Sequence, residues 1–308
     1  MSAVLQTELA GVRLSSPLVL ASGILGVSAS SLWAVAQAGA GAVTTKSFCR
    51  HERAGHPGPA IISYGPGLLN AVGLSNPGAE AAVQEIREFK ARTSTPLVAS
   101  IFGGTVEEFR EVAALAASGA PDLIEVNVSC PNVASEYGAP FESEHESLGR
   151  VTRAVVEAAS AVPVAVKLSV NFGAIGRAAR ICAEQGARAI TAINTVGPGM
   201  VIDVGIRRPV LANRVGGLSG PAILPLAVRA VFEIRRAVDL PIIAVGGVTD
   251  TDGALQLIMA GATAVGIGSG IHYRGLGLFR EINAGLEEFI RREGLGSLAE
   301  IVGAAHDA

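Results

Sequence analysis

The chain has 308 residues, of which 49% are hydrophobic and 17% charged, with 38 glycines and a mean hydropathy of +0.45. That composition excludes intrinsic disorder. A net charge of −3 and a pI near 6.0 argue against a general nucleic-acid binder and against a basic membrane-surface protein. Three cysteines (Cys49, Cys130 and Cys182) are too few for a disulfide framework or a cysteine-ligated iron–sulfur cluster, and fit a reducing cytoplasm. No apolar run reaches the roughly 18 residues of a membrane span. Segment 17–27 has no basic cluster before it, so it does not read as a signal-peptide core.

Short apolar runs alternate with longer helical stretches. Strands are expected at 18–22, 42–47, 97–102, 123–130, 164–170, 189–195, 242–246 and 264–268. Most lack polar alternation, as strands buried on both faces do. Helices are expected at 30–38, 79–92, 106–117, 144–161, 174–185, 222–238, 250–260 and 276–292, one after each strand. Thr105 and the Thr249–Asp250 pair read as helix caps, and Gly39, Gly119, Gly186 and Gly261 as left-handed helix ends. Eight β/α units in a row predict an α/β fold, a (β/α)8 TIM barrel, rather than an open doubly wound sheet. Two long connections, 48–96 and 196–221, follow strands and so belong to the C-terminal face, where barrel enzymes carry their sites.

Lysine plus arginine number 24, yet only Lys46, Lys90 and Lys167 are lysine. Lys90 belongs to a helix face. Lys46 and Lys167 sit in apolar runs, where an ammonium must be paired or functional. Strand four runs into Asn127-Val128-Ser129-Cys130-Pro131-Asn132. Cys130 by itself reads as a small core residue, but two flanking amides offer donors and acceptors to a planar polar ligand. Asn70, Asn127, Asn132 and Asn194 all fall at strand ends or in the first long loop, with Thr195 next to the last. Asn76 and Asn213 read as turn residues. Glycine-rich turns follow strands seven and eight, Gly246-Gly247-Val248 and Gly266-Ile267-Gly268-Ser269-Gly270, where barrels cradle phosphates. No metal motif is present, which points to FMN or a phosphosugar.

These pieces together resemble the class 1 dihydroorotate dehydrogenases over nearly the whole chain. The resemblance is carried in order by Ala21-Ser22-Gly23, Thr45-Lys46-Ser47, Asn70-Ala71-Val72-Gly73-Leu74, Asn76-Pro77-Gly78, the 127–132 hexapeptide, Val166-Lys167, Asn194-Thr195, Gly216–Ser219 with Gly220, Gly246-Gly247-Val248 and Ala260-Gly261-Ala262. The stretch from Ile193 to Asp203, Arg208-Pro209 and 217–223 are most similar to the B-type, NAD-linked catalytic subunit. The resemblance implies one FMN-binding barrel domain over 1–308 that oxidises (S)-dihydroorotate to orotate in pyrimidine (UMP) biosynthesis. It implies Cys130 as the base that removes the C5 proton, with hydride passing from C6 to N5 of FMN. It implies Lys46, Asn70, Asn127, Asn132, Asn194 and Thr195 on the substrate, with the backbone of Val72, Gly73 and Leu74 on its carboxylate. It implies Ala21, Ser22, Lys46, Ser47, Asn127, Lys167, Ile193, Gly220, Gly246, Gly247, Gly268 and Ser269 on FMN, and no metal. Lys167 is expected near the flavin's pyrimidine end, stabilising the reduced ring. A thiol base with a reference pKa of about 8.5 predicts activity that rises with pH.

B-type enzymes pass electrons to a partner carrying FAD and a [2Fe–2S] cluster. The expected assembly is therefore a cytoplasmic homodimer with a partner on each side, a heterotetramer, bound to neither nucleic acid nor membrane. After Asn132 this chain departs from the usual glycine-rich stretch, and Glu136 and Glu142 are expected to face solvent. The fumarate-dependent A-type remains an alternative. The membrane-bound class 2 is disfavoured by its serine base and N-terminal extension. A dihydropyrimidine dehydrogenase is disfavoured by the carboxylate-suited 70–78 loop. A tRNA dihydrouridine synthase is disfavoured by the acidic pI, and a non-catalytic barrel by the full set of amides, lysines and thiol. Cys49, His51 and His56 receive no role.

Overall fold

A computed structural model describes residues 3–129 and 141–306. Among them, eight strands form one all-parallel sheet: β1 (Leu18–Leu20), β2 (Val43–Thr44), β3 (Leu97–Ile101), β4 (Leu123–Asn127), β5 (Val164–Leu168), β6 (Ala189–Ala192), β7 (Ile242–Val245) and β8 (Ala264–Ile267). Each pairs with its sequence neighbour, and β8 pairs with β1. A parallel bridge between Val19 and Ala42 joins β1 to the start of β2 and closes the ring. The helices α1 (Ala29–Gln37), α2 (Ala79–Arg92), α3 (Val106–Ser118), α4 (His145–Ala158), α5 (Ile175–Glu184), α6 (Leu224–Ala237), α7 (Thr251–Met259) and α8 (Leu278–Glu293) alternate with the strands. The fold is the expected (β/α)8 barrel.

Local chemistry accounts for the helix ends. The Thr105 side chain accepts from the Glu108 amide at the start of α3, and Asp250 accepts from the Gly253 amide at the start of α7. Gly39, Gly186 and Gly261 have positive φ, as read from the sequence. Gly119 does not: its φ is −80°, and Ala120 takes the left-handed conformation instead. Gly119 is small for a packing reason, because a Cβ there would lie 3.3 Å from Ile86 of α2. The expected last helix, 276–292, is α8, and a short helix that was not expected, Gly270–Arg274, precedes it.

Strand periodicity orders the barrel interior. Val98, Leu123, Ala165, Ala189, Ile243 and Ala264 share one apolar cluster with Leu9 and Leu14. Those two leucines come from an N-terminal hairpin, Thr7–Leu9 paired with Val12–Leu14, which plugs the bottom of the barrel. Side chains two residues further along a strand point the same way. The next interior layer is therefore Ser100, Glu125, Lys167 and Thr191, all at most 4% exposed. An apolar floor closes the bottom of the barrel, and a buried polar layer stands above it.

The long connections are not structureless. Ile61–Tyr64, Gly67–Asn70, Gly216–Ser219 and Val196–Gly199 form a four-stranded antiparallel sheet. It joins the loop after β2 to the loop after β6, across the C-terminal mouth. No helix among the described residues is long and apolar enough to cross a membrane.

Candidate active site

A cavity of about 250 Å³ opens on the C-terminal face of the barrel. Its wall includes Ala21, Ser22, Lys46, Ser47, Asn127 and Lys167 from the ends of β1, β2, β4 and β5. Ile193, Asn194 and Thr195 follow β6, and Gly246, Gly247, Gly268 and Ser269 follow β7 and β8. Asn70, Val72, Gly73 and Leu74 come from the mouth sheet and the turn after it. Thus 17 of the residues expected at a site from the sequence line one cavity. Gly220 lies outside that wall, where a Cβ would come 3.0 Å from the Tyr273 hydroxyl. Cys130, Asn132 and Glu136 lie outside the described residues.

The side chains at the cavity floor form a continuous hydrogen-bonded row. Lys167 Nζ donates to Ser22 Oγ at 2.9 Å and lies 3.9 Å from Glu125 Oε1. Glu125 Oε1 accepts from Ser22 Oγ and from Ser100 Oγ, both at 3.0 Å. Ser100 and Ser47 hydroxyls are 2.8 Å apart, and Asn127 Nδ2 donates to Ser47 Oγ at 3.5 Å. Asn194 Nδ2 donates to Asn127 Oδ1 at 3.2 Å and to Ser129 Oγ at 3.0 Å. The Thr195 amide donates to Asn194 Oδ1 at 2.8 Å. Lys167 is thus paired, as a lysine in an apolar run must be.

Sequence reasoning missed Glu125. Its signal was available: a lone carboxylate in the run Leu123–Asn127, two residues before Asn127 and so on the same interior face. Ile24, Ile61 and Leu68 also line the cavity without having been singled out, and Gly23 and Ser219, quoted only as motif residues, line it too.

The 70–78 turn is held by residues that had no assigned role. The His56 amide donates to Val72 O at 3.0 Å, and the His56 Nδ1 lies 3.1 Å from Ala71 O. Arg53 Nε donates to Gly73 O at 2.7 Å. A Cβ on Gly73 would meet His56 at 2.6 Å, and Gly73 has φ 73°, so glycine is required there. Asn76 holds Cys49, whose amide donates to Asn76 Oδ1 at 3.3 Å. Burial pushes the Cys49 thiol up, and the Cys182 thiol up to about 12, so neither is suited to act as a base.

Glu142 corrects an expectation. It is 4% exposed rather than solvent-facing, and accepts the Ser169 amide at 2.8 and 3.0 Å. Burial raises its pKa to about 8. It ties the described turn Phe141–Ser143 to the end of β5.

A buried lysine–carboxylate pair, a row of amides and glycine turns after β7 and β8 of a (β/α)8 barrel make a wall of the kind barrel enzymes use, and one that a planar, acceptor-rich ligand carrying a phosphate would fit. The solvent-shielded Tyr273 hydroxyl, without a hydrogen-bond partner among the described residues, fits a phosphate-bearing group beside Gly220 and Ser269. Comparison with known proteins makes the class specific. The chain belongs to the dihydroorotate dehydrogenase family, whose model matches residues 4–290. It is 43% identical over 304 residues to the dihydroorotate dehydrogenase B (NAD+) catalytic subunit of Methanothermobacter thermautotrophicus, covering 99% of each chain. It is 44% identical over 304 residues to the protein of the same name from Methanosarcina mazei, covering 98% of this chain and 96% of the relative. The Pyrococcus abyssi protein of that name is 38% identical over 302 residues, covering 98% and 99%.

Proposed function

We propose that this chain is the catalytic subunit of a B-type dihydroorotate dehydrogenase, oxidising dihydroorotate to orotate in pyrimidine biosynthesis. The observation that carries this reading is that one cavity gathers Lys46, Asn70, Asn127, Asn194 and Thr195 together with the glycine turns. FMN, when bound, supplies the two-electron acceptor. Ala21, Ser22, Ser47, Lys167, Ile193, Gly246, Gly247, Gly268 and Ser269 would hold it, with Gly220 beside Tyr273.

The chain's own residues account for the rest. The Lys46 ammonium and the amides of Asn70, Asn127 and Asn194 orient an anionic, carbonyl-rich substrate, and the backbone at Val72, Gly73 and Leu74 receives its carboxylate. Lys167, buried and fixed by Ser22 and Glu125, places positive charge where reduction makes the ring electron-rich. Cys130 takes the C5 proton, and Asn132 completes the amide set. Electrons leave through a separate subunit with FAD and a [2Fe–2S] cluster, in a cytoplasmic heterotetramer built on a homodimer. The chain acts as one domain over 1–308.

The test is anaerobic. The isolated flavin-loaded chain should bleach its flavin band with dihydroorotate, and Cys130→Ala should lose that bleaching by a factor of about 10²–10⁴, the usual range for a general base. The wild-type rate should rise between about pH 6 and 9 around the thiol's reference pKa. Bleaching by dihydrouracil but not dihydroorotate would overturn the substrate assignment.

A further inference from the structure

The hydrogen-bonded row at the cavity floor has a direction, set from its two ends. The two members that end its amide branch can act in only one sense. The Thr195 backbone N–H can only donate, and the Glu125 carboxylate can only accept. Starting from Thr195, its amide donates to Asn194 Oδ1, which turns Asn194 Nδ2 onto Asn127 Oδ1. That turns Asn127 Nδ2 onto Ser47 Oγ. From the other end, Glu125 Oε1 takes the Ser100 hydroxyl proton, so Ser100 Oγ must accept from Ser47. The two derivations meet at Ser47 and agree. A second branch also ends on Glu125, because Ser22 gives its proton to Oε1 and uses a lone pair for Lys167 Nζ.

We propose that Glu125 is a positioning residue that fixes the polarity of the Ser100, Ser47 and Ser22 hydroxyls, and through them holds Asn127 and Lys167. It need not touch the ligand. By drawing the Ser22, Ser100 and Ser47 protons toward itself, it leaves one Asn127 N–H and the remaining Lys167 N–H groups free to donate into the cavity beside Lys46 and Asn70. A donor-lined wall selects a ligand that presents carbonyl and carboxylate oxygens and tolerates added negative charge. The burial of both Glu125 and Lys167, 3% and 4% exposed, makes the arrangement rigid, since neither can turn to water. A glutamine at 125 has nearly the same shape but can also donate. It would let Ser100 and Ser47 reverse, turning the Ser47 proton toward the Asn127 Nδ2 that Thr195 and Asn194 hold in place, so that Asn127 loses its acceptor.

The inference rests on the orotate and FMN reading above, and its test separates the two. Wild type, Glu125→Gln, Ser100→Ala and Ser22→Ala are compared for FMN affinity by fluorescence and orotate affinity by perturbation of the flavin spectrum. The Lys167 ammonium is followed in protein labelled with 15N-lysine, which has only three lysines to assign. Ser100→Ala cuts only the amide branch, so orotate should weaken about tenfold while the Lys167 signal and FMN affinity hold within about twofold. Ser22→Ala cuts only the lysine branch, so the Lys167 signal should shift or broaden and FMN should weaken, with orotate less affected. Glu125→Gln should do both. Should Glu125→Gln fail to fold, the two serine variants decide. Equal losses in both, or a folded Glu125→Gln with all three readouts unchanged, would overturn the proposal. A wild type that binds no orotate would overturn the substrate reading, whereas the Lys167 signal would still test Glu125.

Discussion

Glu142 shows how burial changes what a carboxylate does to stability. Its ordinary pKa is 4.5, and the folded value is about 8, raised chiefly by desolvation and offset in part by the Ser169 amide. The unfolded chain therefore holds fewer protons than the native one between those values. Stability from this group is fully present below about pH 4.5 and is lost as pH rises through about 8. Glu142→Gln keeps an acceptor for the Ser169 amide and removes the charge. Its melting temperature should match wild type near pH 4.5 and exceed it at pH 9, by up to a few kcal/mol of stability. Thermal melts at both pH values check this, and a variant less stable than wild type at pH 9 would contradict it. Lys90 is the plainer contrast: its 2.6 Å pair with Asp122 is over a quarter exposed, and contributes about 1 kcal/mol or less.

Among elements, the mouth sheet links loops that are more than 100 residues apart in sequence. Gly217 pairs with Asn70 in it, and Asn70 Nδ2 donates to Gly217 O at 3.2 Å. A Cβ on Gly217 would come 2.1 Å from Thr195 Oγ1 and 2.7 Å from its Cβ. Gly217→Ala should therefore displace Thr195 and raise the KM for dihydroorotate about tenfold or more, with little change in FMN affinity. Steady-state kinetics beside a flavin titration read the split. The N-terminal hairpin acts at the opposite end. Leu14 is 2% exposed and fills the barrel floor, so Leu14→Ala should cost about 2–5 kcal/mol in denaturant unfolding. Because the floor lies a layer below Glu125 and Lys167, orotate affinity should change far less than stability does.

The whole molecule divides its labour along the barrel axis. Apolar side chains close the N-terminal end, a buried charged layer sits above them, and loops from four or more strands build the cavity over that layer. The chain has three cysteines, of which Cys49 and Cys182 are buried and free. The flavin-loaded chain should accept electrons from dihydroorotate, but reduce NAD only when an electron-transfer subunit is added. Following NADH formation with and without that subunit checks this, and NADH made by the isolated chain would reject the B-type electron path.

The barrel was legible in the sequence because strands buried on both faces must be continuously apolar and each was followed by an amphipathic helix. Part of the cavity wall was legible too, since polar or glycine residues at the ends of such strands fall on one face whatever the details of packing, while Ala21, Ser22, Ser47, Val72, Gly73, Leu74 and Ile193 entered only through the family resemblance. Local pattern carried no information on what lay across the barrel. Whether Glu142 met water or the Ser169 amide, and whether Gly119 served a turn or a contact with α2, depended on neighbours distant in sequence. The antiparallel pairing of 61–70 with 196–219 was hidden because short, glycine-rich strands have weak periodicity. The partners of Lys167 became visible only when β1, β3, β4 and β5 were closed into a ring. Sequence by itself determined the order of layers and the residue types at the mouth. Tertiary structure alone decided which of those residues meet, because hydrogen bonds and desolvation depend on distances that closure of the barrel sets.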